Sequence, residues 1–227
     1  MKNKIATSLA ISLAISAAIA AGVTGCATGG NAGLPSSAEL DRMAHDVAKA
    51  SFRDQGPVHM DRLQQDETNL ECSEAQAAGQ PLAPERAKAI EALNLKTIKW
   101  PTDGKFLGDW KSGEAIAQNG RGFTWSDDAN VKPGGNCYNC HQITPQEIAF
   151  GTIGPSLLHY GKTHGAIDPN SAAAKPVVEY TWGKIWNAKA YNACSNMPRA
   201  GHSGILTEKE VKDVMALLLD PNSPVNK

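Results

Sequence analysis

Five consecutive residues, Cys137-Tyr138-Asn139-Cys140-His141, constrain this chain more than any other part of it. Two thiols three positions apart, followed at once by an imidazole, make the C-x-x-C-H pattern by which a chain takes a haem covalently. The thiols add to the two vinyl groups of the ring and staple it to one turn of backbone. The adjoining imidazole is then delivered to the iron. A chain built this way has to fold as a wrapper around a large flat ring. A zinc site would need a second pair of ligands at suitable spacing, and the remaining cysteines, Cys26, Cys72 and Cys194, are isolated from one another. A redox dithiol of the thioredoxin kind would need a strand-helix-strand setting, which this sequence does not offer. The pattern occurs once, so the expectation is one covalently bound haem c, attached at Cys137 and Cys140 with His141 as an axial iron ligand.

The N-terminus sets the compartment. Lys2 and Lys4 give a basic start, and an apolar run from Ile5 to about Val23 follows, rich in Ala, Ile and Leu. This reads as a secretory signal peptide over 1–25, to be set aside in reasoning about the fold. The run is near the lower length limit for a spanning helix, but its Ala and Ser content favours the signal. Val23-Thr24-Gly25-Cys26 resembles a bacterial lipobox, in which the cysteine becomes the lipid-bearing first residue of the mature chain. Lipidation at Cys26 would tether a soluble domain to a membrane face by acyl burial. The expected location is the periplasm, with the chain anchored there as a lipoprotein; the alternative is an ordinary signal peptide with Cys26 near the cut by chance. Outside the cytoplasm disulfides persist. With Cys26 lipidated and Cys137 and Cys140 used by haem, Cys72 and Cys194 remain, an even number that points to one disulfide. Two separate buried thiols, or one reactive thiol, are the alternatives that spacing leaves open.

At 227 residues the chain has room for one or two domains. Its hydrophobic content of 41% and charged content of 20% are those of a globular protein. A formal net charge of -1 gives no electrostatic case for a nucleic-acid partner. Residues 26–35 are rich in Gly, Ala and Ser and read as a flexible tether. Ser36 or Ser37 can cap a helix carrying Leu40, Met43, Ala44, Val47 and Ala48 at helical spacing. The stretch from Gln64 to Asn69 is polar and reads as a connection leading to Cys72. Pro84 opens a helix whose apolar side is Ala87, Ile90, Leu93 and Leu95. A third helix starts near Asp109 and Trp110 and stops at Gly120 or Gly122. Another spans about Pro176 to Ala190, with Tyr180, Trp182, Ile185 and Trp186. Thr207 and Glu210 form a capping box for the last helix, whose core face is Val211, Val214, Met215, Leu218 and Leu219 and which Pro221 ends. Little strand signal is present. The reading is an all-α fold with long loops, with an N-terminal helical extension over 36–101 and a haem domain over 102–227.

The sixth iron ligand decides the chemistry. A sulfur ligand favours electron transfer, and an open position favours small-molecule chemistry. Met215 and Met43 sit on amphipathic helix faces, where packing is the ordinary role, and Met60 lies in a polar region ahead of the haem motif. Met197 differs, since it stands in the loop Asn196-Met197-Pro198-Arg199 before the final helix. Helix, C-x-x-C-H, loop, Met loop and terminal helix is the order of a class I cytochrome c. Met197 is therefore the candidate ligand, with gap-filling as the bland alternative. His45, His59, His159, His164 and His202 are rivals, and His202 stands nearest to Met197 in sequence. Pro155 occupies the place where class I cytochromes offer a backbone carbonyl to the proximal His, here His141.

Three longer runs, Gly135 to Ile143, Gly151 to Leu157 and Tyr191 to Arg199, together with Asp103 to Trp110 and Leu217 to Pro221, resemble SoxX. SoxX is the mono-haem cytochrome subunit of the SoxAX complex in the bacterial sulfur-oxidising Sox system. The similarity covers roughly Leu70 to the C-terminus. It implies a heterodimer with a SoxA-like cytochrome subunit that acts as an L-cysteine S-thiosulfotransferase. That enzyme oxidatively couples thiosulfate to a cysteine of a SoxYZ-like carrier protein. This chain would accept the electrons and pass them to a soluble cytochrome, the catalytic site being on the partner. Under the resemblance His141 and Met197 carry over as axial ligands. Two features depart from it. Ala200 stands where an aromatic residue is expected beside the Met loop, and Cys26 and the helix at Leu40 to Ala48 lie outside the family core. The alternative is a stand-alone periplasmic cytochrome c serving another oxidase. A weaker third reading is an enzyme working at an open haem.

Overall fold

The computed structural model describes residues 35–227. The signal peptide, Cys26 and most of the tether lie outside the described residues. The chain divides into two compact units, one ending at Phe52 and one spanning Arg53–Lys227.

In the first unit the described part is a single helix, α1 (Ser37–Ser51). Ser36 caps it: its hydroxyl accepts from the Glu39 amide and the Glu39 carboxylate returns to the Ser36 amide, which satisfies two orphan donors at once. Phe52 takes extended backbone and stops it.

The second unit is helical, and among the described residues the one β feature is an isolated bridge between Gln55 and Val58. Its helices are α2 (Glu67–Ala77), α3 (Pro84–Leu95), α4 (Trp110–Gln118), α5 (Tyr160–Thr163), α6 (Lys175–Trp186) and α7 (Glu208–Leu219). The all-α fold is thus observed. Residues 53–101, expected as part of an extension, belong to the same compact unit as the haem domain.

The core runs along α6 and α7. Thr207 and Glu210 form the capping box on α7, and nearly every residue from Val211 to Leu219 is buried. The Trp182 and Trp186 rings stack 5.6 Å apart, and Phe106 meets Trp182 edge-on at 5.6 Å. Trp182 is fully enclosed, and its indole N–H donates to the Lys99 carbonyl at 2.9 Å, so its polar edge carries no desolvation penalty. Helix α4 packs more extensively against α7 than any other pair of the described helices does. Gly113 makes this crossing possible, because a Cβ there would lie 2.1 Å from the Asp213 carbonyl oxygen. Asp213 is itself buried, accepting the Asp109 amide at 2.9 Å and pairing with Lys209 at 2.6 Å. Its charge therefore fixes the start of α4 against the middle of α7.

Two expectations need correction. The polar stretch before Cys72 is the start of a helix, α2, capped by Asp66, whose carboxylate accepts the Asn69 amide at 2.8 Å. Its residues carry almost no apolar periodicity, so a pattern-based reading passes over it. In α3 the expected apolar side is only partly buried: Ile90 is enclosed, while Leu93 and Leu95 are about half exposed. The buried polar partner is Asn94, whose side chain joins that of Asn187 at 2.9 Å, and Asn187 also reaches Thr97 at 2.8 Å. This network ties the end of α3 to the segment after α6.

Candidate haem site

The motif sits in one turn of 3-10 helix, Cys137–Asn139. Asn136, in left-handed backbone with φ of 49°, turns the chain into it. The amides of Cys140 and His141 both point back to the Cys137 carbonyl, at 3.1 and 2.9 Å. Upstream, the Gly135 amide donates to Ile116 at 2.9 Å and the Asn136 amide to Asn119 at 3.1 Å. The end of α4 therefore anchors the motif's entry.

The loop that follows doubles back along the motif. Amides of Gly151, Gly154 and Leu157 donate to the carbonyls of Tyr138, Cys140 and Gln142 at 2.8, 2.8 and 2.7 Å. This backbone pairing brings Pro155 to His141, whose Nδ1 donates to the Pro155 carbonyl at 2.7 Å. A proton held on Nδ1 leaves Nε2 as the free lone pair, the tautomer a metal-ligating imidazole needs. Gly154 lies flat against the ring: a Cβ there would stand 2.2 Å from His141 Cε1.

Cys137 and Cys140 are free thiols, not bonded to each other. Burial pushes the Cys137 thiol up to about 11. A reactive dithiol needs the opposite, a lowered value that supplies thiolate.

The second candidate ligand, Met197, stands in the loop between the 3-10 turn Ala188–Ala190 and α7. It is half-buried and packs on the same core cluster as Cys137, Ile116, Leu157 and Trp186. Its amide donates to Ser195 Oγ at 3.2 Å. The loop is tied down at both flanks. Cys194 is bonded to Cys72 in the middle of α2, with Cα atoms 5.5 Å apart, and Arg199 pairs with Asp66, the cap of α2, at 2.5 Å. Ala200, where an aromatic residue was expected, is buried and accepts the Leu206 amide at 3.0 Å, closing the turn before α7.

Among the rival residues, His159 lies in left-handed backbone with its amide donating to the Val225 carbonyl at 2.7 Å and its Nδ1 buried without a partner among the described residues, and the others are placed away from such a position. Met215 is fully enclosed within α7, Met60 lies in a 3-10 turn, and Met43 belongs to the other unit. His45 and His59 are well exposed. His164 stacks on Tyr160 at 4.1 Å, with its Nδ1 bonded to the Tyr160 carbonyl at 3.0 Å. His202 is on the surface, its amide donating to Trp186 at 3.0 Å.

One buried atom bears on whether the pocket suits a haem. The indole nitrogen of Trp186 is buried without a hydrogen-bond partner. An orphan donor costs on the order of 1–3 kcal/mol, and a haem propionate is a carboxylate that would satisfy it. Two free thiols and an oriented imidazole fit the group, and Cys137 and Trp186 belong to one core cluster. Trp186 was read only as a helix residue from sequence, because an unpaired donor is visible only once the neighbours are placed.

Comparisons with known proteins bear on the domain that carries these residues. The cytochrome c family model matches residues 121–220. A protein of Aquifex aeolicus (strain VF5) described as an uncharacterized lipoprotein is 38% identical over 150 residues, covering 64% of this chain and 67% of the relative. The chain thus belongs to one family with that lipoprotein, and it carries a cytochrome c domain, an electron-transfer module built to hold covalently bound haem c.

Proposed function

We propose that this chain is the mono-haem, electron-accepting subunit of a thiosulfate-oxidising complex of the SoxAX type. The observation that carries the reading is how the resembling runs assemble. Gly135 to Ile143 and Gly151 to Leu157 pair backbone to backbone, and Tyr191 to Arg199 packs on the same core. The likeness is thus concentrated in one place, around the residues that would hold the haem.

Cys137 and Cys140 would attach one haem, with His141 and Met197 as its axial ligands. The group, when bound, supplies a one-electron couple. The chain's own residues do the rest. Pro155 fixes the His141 tautomer, the core excludes water, and the bonded loop holds Met197 in place. If His141 and Met197 both held the iron, no coordination position would remain for substrate, and the cysteine-coupling chemistry would fall to a SoxA-like partner. Joining thiosulfate to a carrier thiol releases a proton and two electrons, which this subunit would take in turn and hand to a soluble cytochrome. The enzyme as a whole would be an L-cysteine S-thiosulfotransferase acting on a SoxYZ-like carrier.

Lipidation of Cys26 would hold the complex at the periplasmic face of a membrane. The lipobox-like Val23 to Cys26 supports this, as does the relative described as a lipoprotein. Among the described residues no helix is long and apolar enough to cross a membrane.

Affinity purification of the full chain from its native source tests the reading. A second c-type cytochrome should co-purify, and adding thiosulfate with carrier protein should reduce the haem. Absence of both would refute it and leave a stand-alone carrier.

A further inference from the structure

A cleft of about 850 Å³ lies between α2 with its trailing turn and the loop carrying Met197. Its wall includes Met197 and both bonded cysteines, but not Cys137, Cys140 or His141. Its chemistry is one-sided. Gln65, Asn69 and Gln76 contribute amides, Lys189 and Arg199 contribute positive charge, and no Asp or Glu is part of the lining.

Lys189 is the unusual member. It is only 6% exposed, yet its ammonium has one hydrogen bond among the described residues, to the Ala193 carbonyl at 3.1 Å. An ammonium has three protons to donate, and a buried one without a carboxylate is costly. The nearby acids are committed elsewhere. Asp66 is held by Arg199 and by the Asn69 amide, Glu71 by Arg86, and Glu91 by the Ala193 amide at 3.2 Å. Asp66, outside the lining, pairs with Arg199, and Lys189 has no ion-pair partner among the described residues, so the cleft is a net positive site with side-chain amides in its wall. Burial first, then Arg199, lowers the affinity of Lys189 for its proton, while Asp66 opposes both.

We propose that this cleft binds a small divalent oxyanion of the sulfate and thiosulfate class, held by Lys189 and Arg199 with side-chain amides around it. Such an anion accepts several hydrogen bonds and supplies the charge that Lys189 lacks. It would sit against the loop that carries Met197. Thiosulfate is named through the SoxAX reading, whereas oxyanion binding itself rests on the cleft alone, and sulfate tests it whichever way that reading falls.

The test is calorimetric titration of the full holoprotein with sodium sulfate, and separately with sodium thiosulfate, at ionic strength held constant with chloride. Using the holoprotein means that the haem propionates are already seated and cannot be mistaken for the site's ligand. Saturable one-to-one binding is expected for the native protein, weakened at least tenfold by Lys189→Gln. Because a buried lysine can matter to folding, Gln76→Glu is the second variant. It adds one carboxylate to the wall from an exposed helix position and should weaken binding as strongly. No saturable binding to the native protein, or equal binding by Gln76→Glu, would overturn the proposal.

Discussion

The two segments proposed to grip a haem are held by different means. The proximal segment is secured by main chain. Amides of Gly151, Gly154 and Leu157 reach carbonyls of Tyr138, Cys140 and Gln142, all within a short stretch of sequence. The Met197 loop is secured by side chains from far away: a disulfide to a residue 122 positions earlier and an ion pair between Arg199 and Asp66. The proximal half is therefore insensitive to most side-chain changes but intolerant of added bulk at its glycines. The distal half is conditional on redox state and pH.

The sharpest way to break the comparison is Gly154→Ala. A Cβ 2.2 Å from His141 Cε1 cannot be accommodated without moving the ring or the loop. The expected result is failure to mature: little or no haem on the purified protein by mass and pyridine haemochrome. Full haem content with an unchanged spectrum would show that the loop is not a close backbone clamp.

Next comes the distal side. Replacing Cys72 and Cys194 together by Ala should destabilise the protein by about 4 kcal/mol, the scale for opening a long loop, measured by denaturant unfolding. The haem should stay attached, since the proximal clamp does not involve the disulfide. Loss of haem would mean that the two halves are not separable.

Trp186→Phe removes the orphan indole donor while keeping most of the ring. It should cost about 2 kcal/mol in the holoprotein, the scale of a hydrogen bond to a charged group, and far less in the apoprotein. Equal effects in both would remove Trp186 from the haem site.

The smallest effect concerns Asp66. Burial raises its pKa, but the Asn69 amide and the Arg199 guanidinium outweigh this, so its carboxyl lies below the usual value. A depressed folded value contributes stability above the unfolded pKa, near 4, which is lost as pH falls through the folded value. Asp66→Asn should cost no more than about 1 kcal/mol at neutral pH, given its partial exposure, and should flatten the acid side of the stability profile. An unaltered profile would show that the pair does not hold the loop.

What was legible in the sequence follows the same division. The haem motif, the Ser36 and Thr207 caps and the core face of α7 are local signals, written in adjacent residues, and the structure shows both caps and the buried face of α7. Helix α2 was not legible, because Asp66 is its one strong local cue and no apolar stripe follows. Trp186 and Lys189 escaped for a related reason: each matters through a missing partner, which exists only after distant segments have packed.

The central claim is that protein groups fill both axial positions of one haem, His141 on one face and Met197 on the other, so that the domain transfers electrons. The most direct test is the absorption spectrum of the oxidised holoprotein beside that of Met197→Ala. The account predicts an iron–sulfur charge-transfer band in the native protein that disappears in the variant, while haem stays bound at Cys137 and Cys140. A band that survives the substitution, or one absent from the native protein, would contradict it and direct attention to His202.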